Sequence, residues 1–362
     1  MAPSVSVVIP FFREGALLGD CVESVLSQSF SDLDIVLVDN NATEGTRELA
    51  NRFAARYPKT IRVIHEAEQG TCSARNRGIR EAGGEYIALM DGDDMMKPDR
   101  IKMQYETIRG EEGISLVSCH HDSISHDGKT ILQRDRAELS QGSKNIHELK
   151  GLLRSLLLPL KLPHHPTFDL FSASFLFFKR QAAIDAGLFD TRLNPRDKED
   201  WEFSLRLFET GKFVNVPQSL QFYREESAAS RQFKIKALYK RKTYLHEQKF
   251  FSILWERYGK YPENGKVFRR LQAFSLKRFG QSLMQFSQGK DLGRALFRRA
   301  LIADPSDLRS WKLYIKSLSP STLHPRFFDF RLKACNLRKT FPFSGYFPYR
   351  SQRIEKNFCS WR

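Results

Sequence analysis

Tyr86-Ile-Ala-Leu-Met-Asp-Gly-Asp-Asp-Met95 is an apolar run of strand length that ends in three carboxylates within four residues. A buried strand that delivers Asp91, Asp93 and Asp94 to its C-terminal edge makes a place for a hard divalent cation. Clustered carboxylates repel one another, and oxygen-ligated Mg²⁺ or Mn²⁺ relieves that repulsion. Taken alone the motif reads equally well as a solvated acidic turn. Its surroundings decide between the two.

Working outward, the N-terminal half alternates short apolar strands with segments of helical period. Residues 5–9 read as a buried strand that ends at Pro10, after which Leu18, Cys21, Val22, Val25 and Leu26 recur at helical spacing. Residues 34–38 form the next predicted strand, Asp39-Asn-Asn41 a loop, 43–57 a helix and 61–65 a third strand. Gly70 opens a loop, 73–81 fits a short helix, Gly83-Gly84 breaks it, and 86–90 is the strand that carries the acidic cluster. This alternation predicts an α/β fold with a mostly parallel, Rossmann-like sheet covered on both faces. Its ligands belong at the carboxyl ends of the strands, the edge where every polar loop named above lies.

Ser6-Val-Val-Ile-Pro-Phe-Phe12, Val25-Leu-Ser-Gln-Ser-Phe30, Ile35-Val-Leu-Val-Asp-Asn40, Ala74-Arg-Asn-Arg-Gly78, Asp91-Gly-Asp-Asp94 and Glu199-Asp200 follow one another along the chain. Their order and rough spacing resemble those of the family 2 nucleotide-sugar glycosyltransferases, over roughly residues 4–230. Each motif is weak alone; six in register are specific. The resemblance implies a GT-A catalytic domain over residues 1–230, a nucleotide-sugar donor, a divalent metal (Mn²⁺ or Mg²⁺) and inversion at the anomeric carbon.

It also implies roles for individual residues. Pro10, Phe12 and Glu14 fall among the donor-binding positions. Phe12 matches the one that stacks on the donor base, where an aromatic face contributes about 1–3 kcal/mol, and otherwise reads as a core phenylalanine. Asp39 and Asn40 match the base- and ribose-reading pair, commonly Asp-Asp. Asparagine still accepts from a uracil N–H and can donate as well, so UDP is favoured over GDP or dTDP. Arg75 and Asn76, near a helix N-terminus, match a diphosphate contact. Asp91 resembles the aspartate that meets ribose, Gly92 leaves room for the ligand, and Asp93 and Asp94 match the metal ligands. The cation would neutralise charge on the departing nucleotide.

Asp200 matches the catalytic base, because inversion by single displacement needs one base set against the acceptor hydroxyl on the face opposite the nucleotide. Acidic residues in a first helical turn are also ordinary caps. Glu199 is expected to bind acceptor or orient the loop, and Trp201 to stack on an acceptor sugar or pack in the core. Phe222-Tyr-Arg-Glu-Glu-Ser227 resembles a segment that follows the last strand, often Tyr-Arg-x-His; Glu226 stands in place of the histidine and is a candidate further metal ligand or a solvated side chain. His120-His121, His126 and His164-His165 lack the spacing of a transition-metal site and read as surface or acceptor-pocket residues.

With 362 residues the chain has room for one large domain and a smaller appendage. Five cysteines without a CxxC pair argue for reduced thiols in a cytosolic setting. No secretory signal is expected at the N-terminus, and the apolar run 152–162 is too short and too interrupted for a membrane span. Residues 231–362 hold 30 Lys and Arg against 8 Asp and Glu, a net +22, which leaves −6 for residues 1–230 of a chain at +16. This basic region shows helical period over 233–258 and 267–286, and the stretch from Gly293 to Pro305 resembles part of one tetratricopeptide repeat. Its expected partners are an anionic membrane surface or lipid-linked acceptor; a structural cap on the catalytic domain is the plain alternative, and nucleic acid fits the glycan chemistry poorly.

The expectation is a cytoplasmic enzyme, peripheral on the inner face of a membrane, that transfers sugar to a polysaccharide, lipopolysaccharide or other glycoconjugate. Two rivals remain: a metal-dependent nucleotidyltransferase, which would require basic triphosphate-binding loops early in the chain, and a non-catalytic nucleotide-sugar-binding subunit.

Overall fold

Alternate residues of the first strands go to opposite cores, which makes this a sheet covered on both faces. In the computed structural model, β1 (Val5–Phe11), β2 (Leu33–Asp39), β3 (Ile61–His65) and β4 (Tyr86–Leu89) lie side by side and parallel. Val7, Ile9, Ile35 and Leu37 point into one core, with α1 (Leu17–Leu26), α2 (Glu44–Arg56) and α4 (Arg100–Gly110). Val8, Val36, Val38, Ile87 and Leu89 point into the other, with α3 (Thr71–Glu81), α5 (Arg180–Asp185) and α6 (Glu199–Glu209). Each buried Val, Leu or Ile contributes about 1.5–3 kcal/mol. The structure describes residues 3–134, 172–194, 198–225, 249–250, 252–258, scattered positions between 269 and 284, and 290–318.

The sheet continues through β5 (Met95–Met96), β6 (Ile114–Ile124), β7 (Ile131–Gln133), β8 (Phe177–Lys179) and β9 (Lys212–Arg224), in the order β3-β2-β1-β4-β8-β6-β9-β5, with β7 on β6. β8 runs antiparallel between β4 and β6, while β6 and β9 pair in parallel. Six of the nine strands therefore run the same way, and the acidic cluster follows β4 at their carboxyl edge.

Three boundaries differ from expectation. β1 does not end at Pro10 but runs to Phe11, with Pro10 opposite Val38. The last β1–β4 pairing is Val8 with Leu89, so beyond it β1 is an edge on that side, where a proline is tolerated. α3 starts at Thr71 because its first turn is capped from afar: Asn194 Oδ1 accepts from the Cys72 N–H at 3.0 Å and Asn194 Nδ2 donates to Ser73 Oγ at 2.7 Å. Phe222-Tyr-Arg224 lies within β9 rather than after it, since Met95 and Phe222 pair across the β5–β9 ladder.

The core does not stop at residue 230. Phe250, Ile253, Leu254 and Tyr258 are buried in the same core as α3 and α6, with Arg257 Nε 3.1 Å from Glu202 and Arg192 Nη1 2.7 Å from Glu256. Farther on, α7 (Lys290–Ala303) and α8 (Leu308–Leu318) pack on each other, and Leu296 and Ala300 join Ala273, Leu276 and Phe279 in a separate small core. Among the described residues no helix is long and apolar enough to cross a membrane. The runs 152–162 and 233–248 and the tail beyond 318 lie outside the described residues, as do Glu226, His164, His165, Cys335 and Cys359. Cys21, Cys72 and Cys119 are buried free thiols.

Candidate active site

The loop after β4 is braced on every side. The Asp91 N–H donates to Ser174 Oγ at 3.1 Å, and Asp91 Oδ1 accepts from Arg75 Nη2 at 2.7 Å. A Cβ on Gly92 would lie 3.1 Å from Glu14 Cγ and 3.4 Å from the Pro10 carbonyl. The space that glycine leaves is bordered by Pro10 near the end of β1 and by Glu14 just after it. Glu14 Oε2 accepts the Phe12 N–H at 2.5 Å. Burial pushes the Glu14 carboxyl up, against hydrogen bonds from the Phe12 and Glu14 backbone, and the charges of Asp93 and Asp91 add to the rise. Asp94 is fully buried; its Oδ1 accepts from the Arg224 N–H at 2.9 Å, and its Oδ2 has no hydrogen-bond partner. Burial, then the charges of Asp93 and Asp91, hold its carboxyl well above the usual carboxylate range.

A hard divalent cation fits this set. The donors are carboxylate oxygens, one oxygen of Asp94 is buried and unpartnered, and mutual repulsion favours a positive ion among them. Among the described residues no three or more His, Cys, Asp or Glu form a ready-made cage. Two carboxylates suit an ion whose remaining positions go to substrate phosphates and water.

Arg224 clamps this loop and was not expected in the site. Its Nε donates to the Asp93 carbonyl at 2.7 Å, Nη2 to Asp20 Oδ2 at 2.9 Å and Nη1 to the His126 carbonyl at 2.8 Å. The one local hint was its place in the Phe-Tyr-Arg stretch; its partners come from three distant segments.

On the opposite wall, α6 presents Glu199 and Asp200 in its first turn. The residue before them, Lys198, adopts a left-handed conformation (φ 62°), which turns the chain sharply into the helix. Glu199 Oε1 accepts from Arg75 Nη1 at 2.8 Å, and Asp200 Oδ1 accepts from the Trp201 N–H at 2.9 Å. One guanidinium therefore joins Asp91 and Glu199. Burial alone would lower the Arg75 pKa; the charges of Asp91, Glu199 and Asp200 outweigh it and raise it.

Several expected ligand-facing side chains are spent inside the protein. Arg75 and Asn76 are 2% and 3% exposed. Asn76 forms a pair of 2.8 Å hydrogen bonds with the Phe189 backbone, so its side chain is engaged by the 189 segment while Arg75 spans Glu199 and Asp91. Trp201 is 8% exposed and packs in the core with Leu205 and Phe208, the second of the two roles read for it from the sequence, on a helix that is buried nearly all round. Asn40 donates to the carbonyls of Glu66 (3.0 Å) and Glu68 (2.7 Å) and accepts from the Gly70 N–H (2.8 Å) and Gln69 (3.2 Å). Its amide holds the 66–70 loop and leaves little for a base. Asp39 accepts from the Ala42 N–H at 2.7 Å and pairs with Arg47 at 2.5 Å. Phe12 is half-buried, with the Arg13 guanidinium 4.6 Å above its ring.

Of the three described histidines named from the sequence, His126 is exposed, His121 is half-buried and stacks on Phe175 with ring centroids 4.7 Å apart, and only His120, beside Asn215 at 2.8 Å, is buried.

The family model described as "Glycosyl transferase family 2" matches residues 6–173. EpsJ of Bacillus subtilis, described as an uncharacterized glycosyltransferase, is 32% identical over 219 residues, covering 54% of this chain. The chain spans 62% of the length of EpsJ. Among solved structures, S. aureus TarS 1-349 in complex with UDP-GlcNAc superposes with a TM-score of 0.52 at 14% identity, over 87% of this chain and 90% of that one. The mannosyltransferase PcManGT from Pyrobaculum calidifontis, in complex with GDP-Man and Mn²⁺, gives 0.53 at 17% identity, over 88% and 85%. These structural likenesses establish the GT-A fold.

Proposed function

Residues 6–173 belong to glycosyl transferase family 2, and on that footing we propose that the chain is an inverting, metal-dependent transferase. It moves a sugar from a UDP-sugar to a hydroxyl of a polysaccharide, lipopolysaccharide or other glycoconjugate. The observation that carries this reading is the Arg75 guanidinium bonded to both Asp91 and Glu199, which sets the loop after β4 against the helix that bears Asp200.

Asp93 and Asp94 hold the cation, Mn²⁺ or Mg²⁺, which when bound stabilises negative charge on the departing nucleotide. Phe12 offers its half-exposed ring to the base, and Asp39, already fixed by Ala42 and Arg47, lies beside it at the end of β2. Asp200, held by its own helix start, takes the proton from the acceptor hydroxyl. With the Asn40 amide occupied, uridine preference rests on the TarS complex with UDP-GlcNAc, and a guanosine donor is the outcome that would reassign it.

The test is a screen of UDP- and GDP-sugars for donor hydrolysis and thermal stabilisation with Mn²⁺ present, since a ligand of the folded state raises its melting temperature. Asp93→Ala is expected to abolish the metal-dependent part of nucleotide binding while keeping the fold; equal UDP affinity with and without Mn²⁺ in the wild type would remove the metal from the reading. Asp200→Asn is expected to keep donor binding and to lower transfer about 10²–10⁴-fold. Near-normal transfer would take Asp200 out of the mechanism, and binding of no sugar nucleotide would sink the proposal as a whole.

A further inference from the structure

The turn Cys72–Asn76 of α3 makes more connections to the 189–203 segment than to any donor loop. Asn194 caps it through Cys72 and Ser73, Asn76 pairs with the Phe189 backbone, and Phe189 stacks on Phe203 of α6 with centroids 4.0 Å apart. Between these ties lies Arg75, 5.4 Å over the Phe189 ring, with its Nε buried and unpartnered and its two terminal nitrogens on Asp91 and Glu199. A planar fork can hold two carboxylates at fixed separation; a point charge cannot. Breaking one arm leaves a buried cation half-compensated, so the remaining carboxylate and its backbone must shift.

We infer that Arg75 is a positioning residue, not a diphosphate contact: it ties the donor-side Asp91 to the acceptor-side Glu199–Asp200 turn, so that a change at either carboxylate is felt across the site. Its bearing on catalysis rests on the function proposed above. The tie itself does not.

Hydrogen exchange on the ligand-free protein tests the tie. Asp91→Ala is expected to speed exchange of peptides covering 199–205 by ~10-fold or more, and Glu199→Ala to do the same over 91–96. Neither effect is expected in an Arg75→Gln background. The inference is overturned if Asp91→Ala, in a protein that still melts cooperatively, leaves 199–205 unchanged, or changes it equally with Arg75→Gln present. Arg75→Lys, which keeps the charge and loses the fork, supplies the second readout. It should lower kcat ~10²-fold through a misplaced base while the donor KM stays within a factor of ~3. A raised donor KM at unchanged kcat would return Arg75 to the diphosphate. Failure of UDP with Mn²⁺ to bind the wild type removes the proposed function and leaves the exchange result to decide the tie.

Discussion

Asn40 is one residue whose chemistry argues against a substitution that its surroundings in sequence would welcome. The position is commonly aspartate in the resembling family, yet the Asn40 amide nitrogen donates to two carbonyls, of Glu66 and Glu68. A carboxylate has no donor to offer and would face both oxygens. Asn40→Asp is therefore expected to destabilise the protein by ~1–3 kcal/mol, read as a lower urea midpoint, with faster exchange over 66–70. Unchanged stability would show that the loop is held by other bonds. Placements set by local pattern were legible in the sequence: the carboxylates of 91–94 follow a strand and Glu199-Asp200 opens a helix, each signalled within a few residues. The employment of Asn40, Arg75 and Asn76 was not, because their partners lie from 16 to 124 residues away.

Among the elements, α3 is the common platform, and the turn at 190–194 is what locks it. Period and glycine placement predicted α3 to within two residues, and missed its first turn because the cap, Asn194, comes from a segment more than a hundred residues farther along the chain. That turn is itself held by Asp190, whose carboxyl is raised by burial but lowered further by hydrogen bonds from the Arg192 side chain and backbone and by the charges of Arg192 and Arg257. The net effect is a folded pKa below the ordinary value. Such a group adds stability that is present above its unfolded pKa of about 3.9 and is lost as the pH falls through the lower folded value. Asp190→Asn should accordingly lower the urea midpoint at pH 7, and the gap from wild type should close as the pH falls below the unfolded value. A gap that persists undiminished in acid would mean that the mutation acts through packing rather than charge.

For the molecule as a whole, the division of charge was legible and the division of packing was not. Phe250, Ile253, Leu254 and Tyr258 complete a core built by residues of 8–213, as a structural cap would, while the exposed Ile302 (66%) and Leu308 (60%) flank the turn between α7 and α8 near exposed Arg298 and Arg299. If this turn meets an anionic membrane, as the net charge of residues 231–362 suggested, the intact protein should bind anionic vesicles in preference to neutral ones. That preference should fade with salt over a Debye length of about 8–10 Å. The double variant Ile302→Asp, Leu308→Asp should weaken binding at unchanged melting temperature, and equal affinity for both vesicle types at low salt would end the membrane reading. The order of strands carries a further consequence, for the protein as it leaves the ribosome. β4 ends at Leu89, but the strand that closes its free side, β8, begins only at Phe177. At roughly 5–20 residues per second, that side of β4 stays uncovered for about 4–18 s of synthesis, so the nascent chain passes through a window in which an apolar strand is open to pairing with its neighbours.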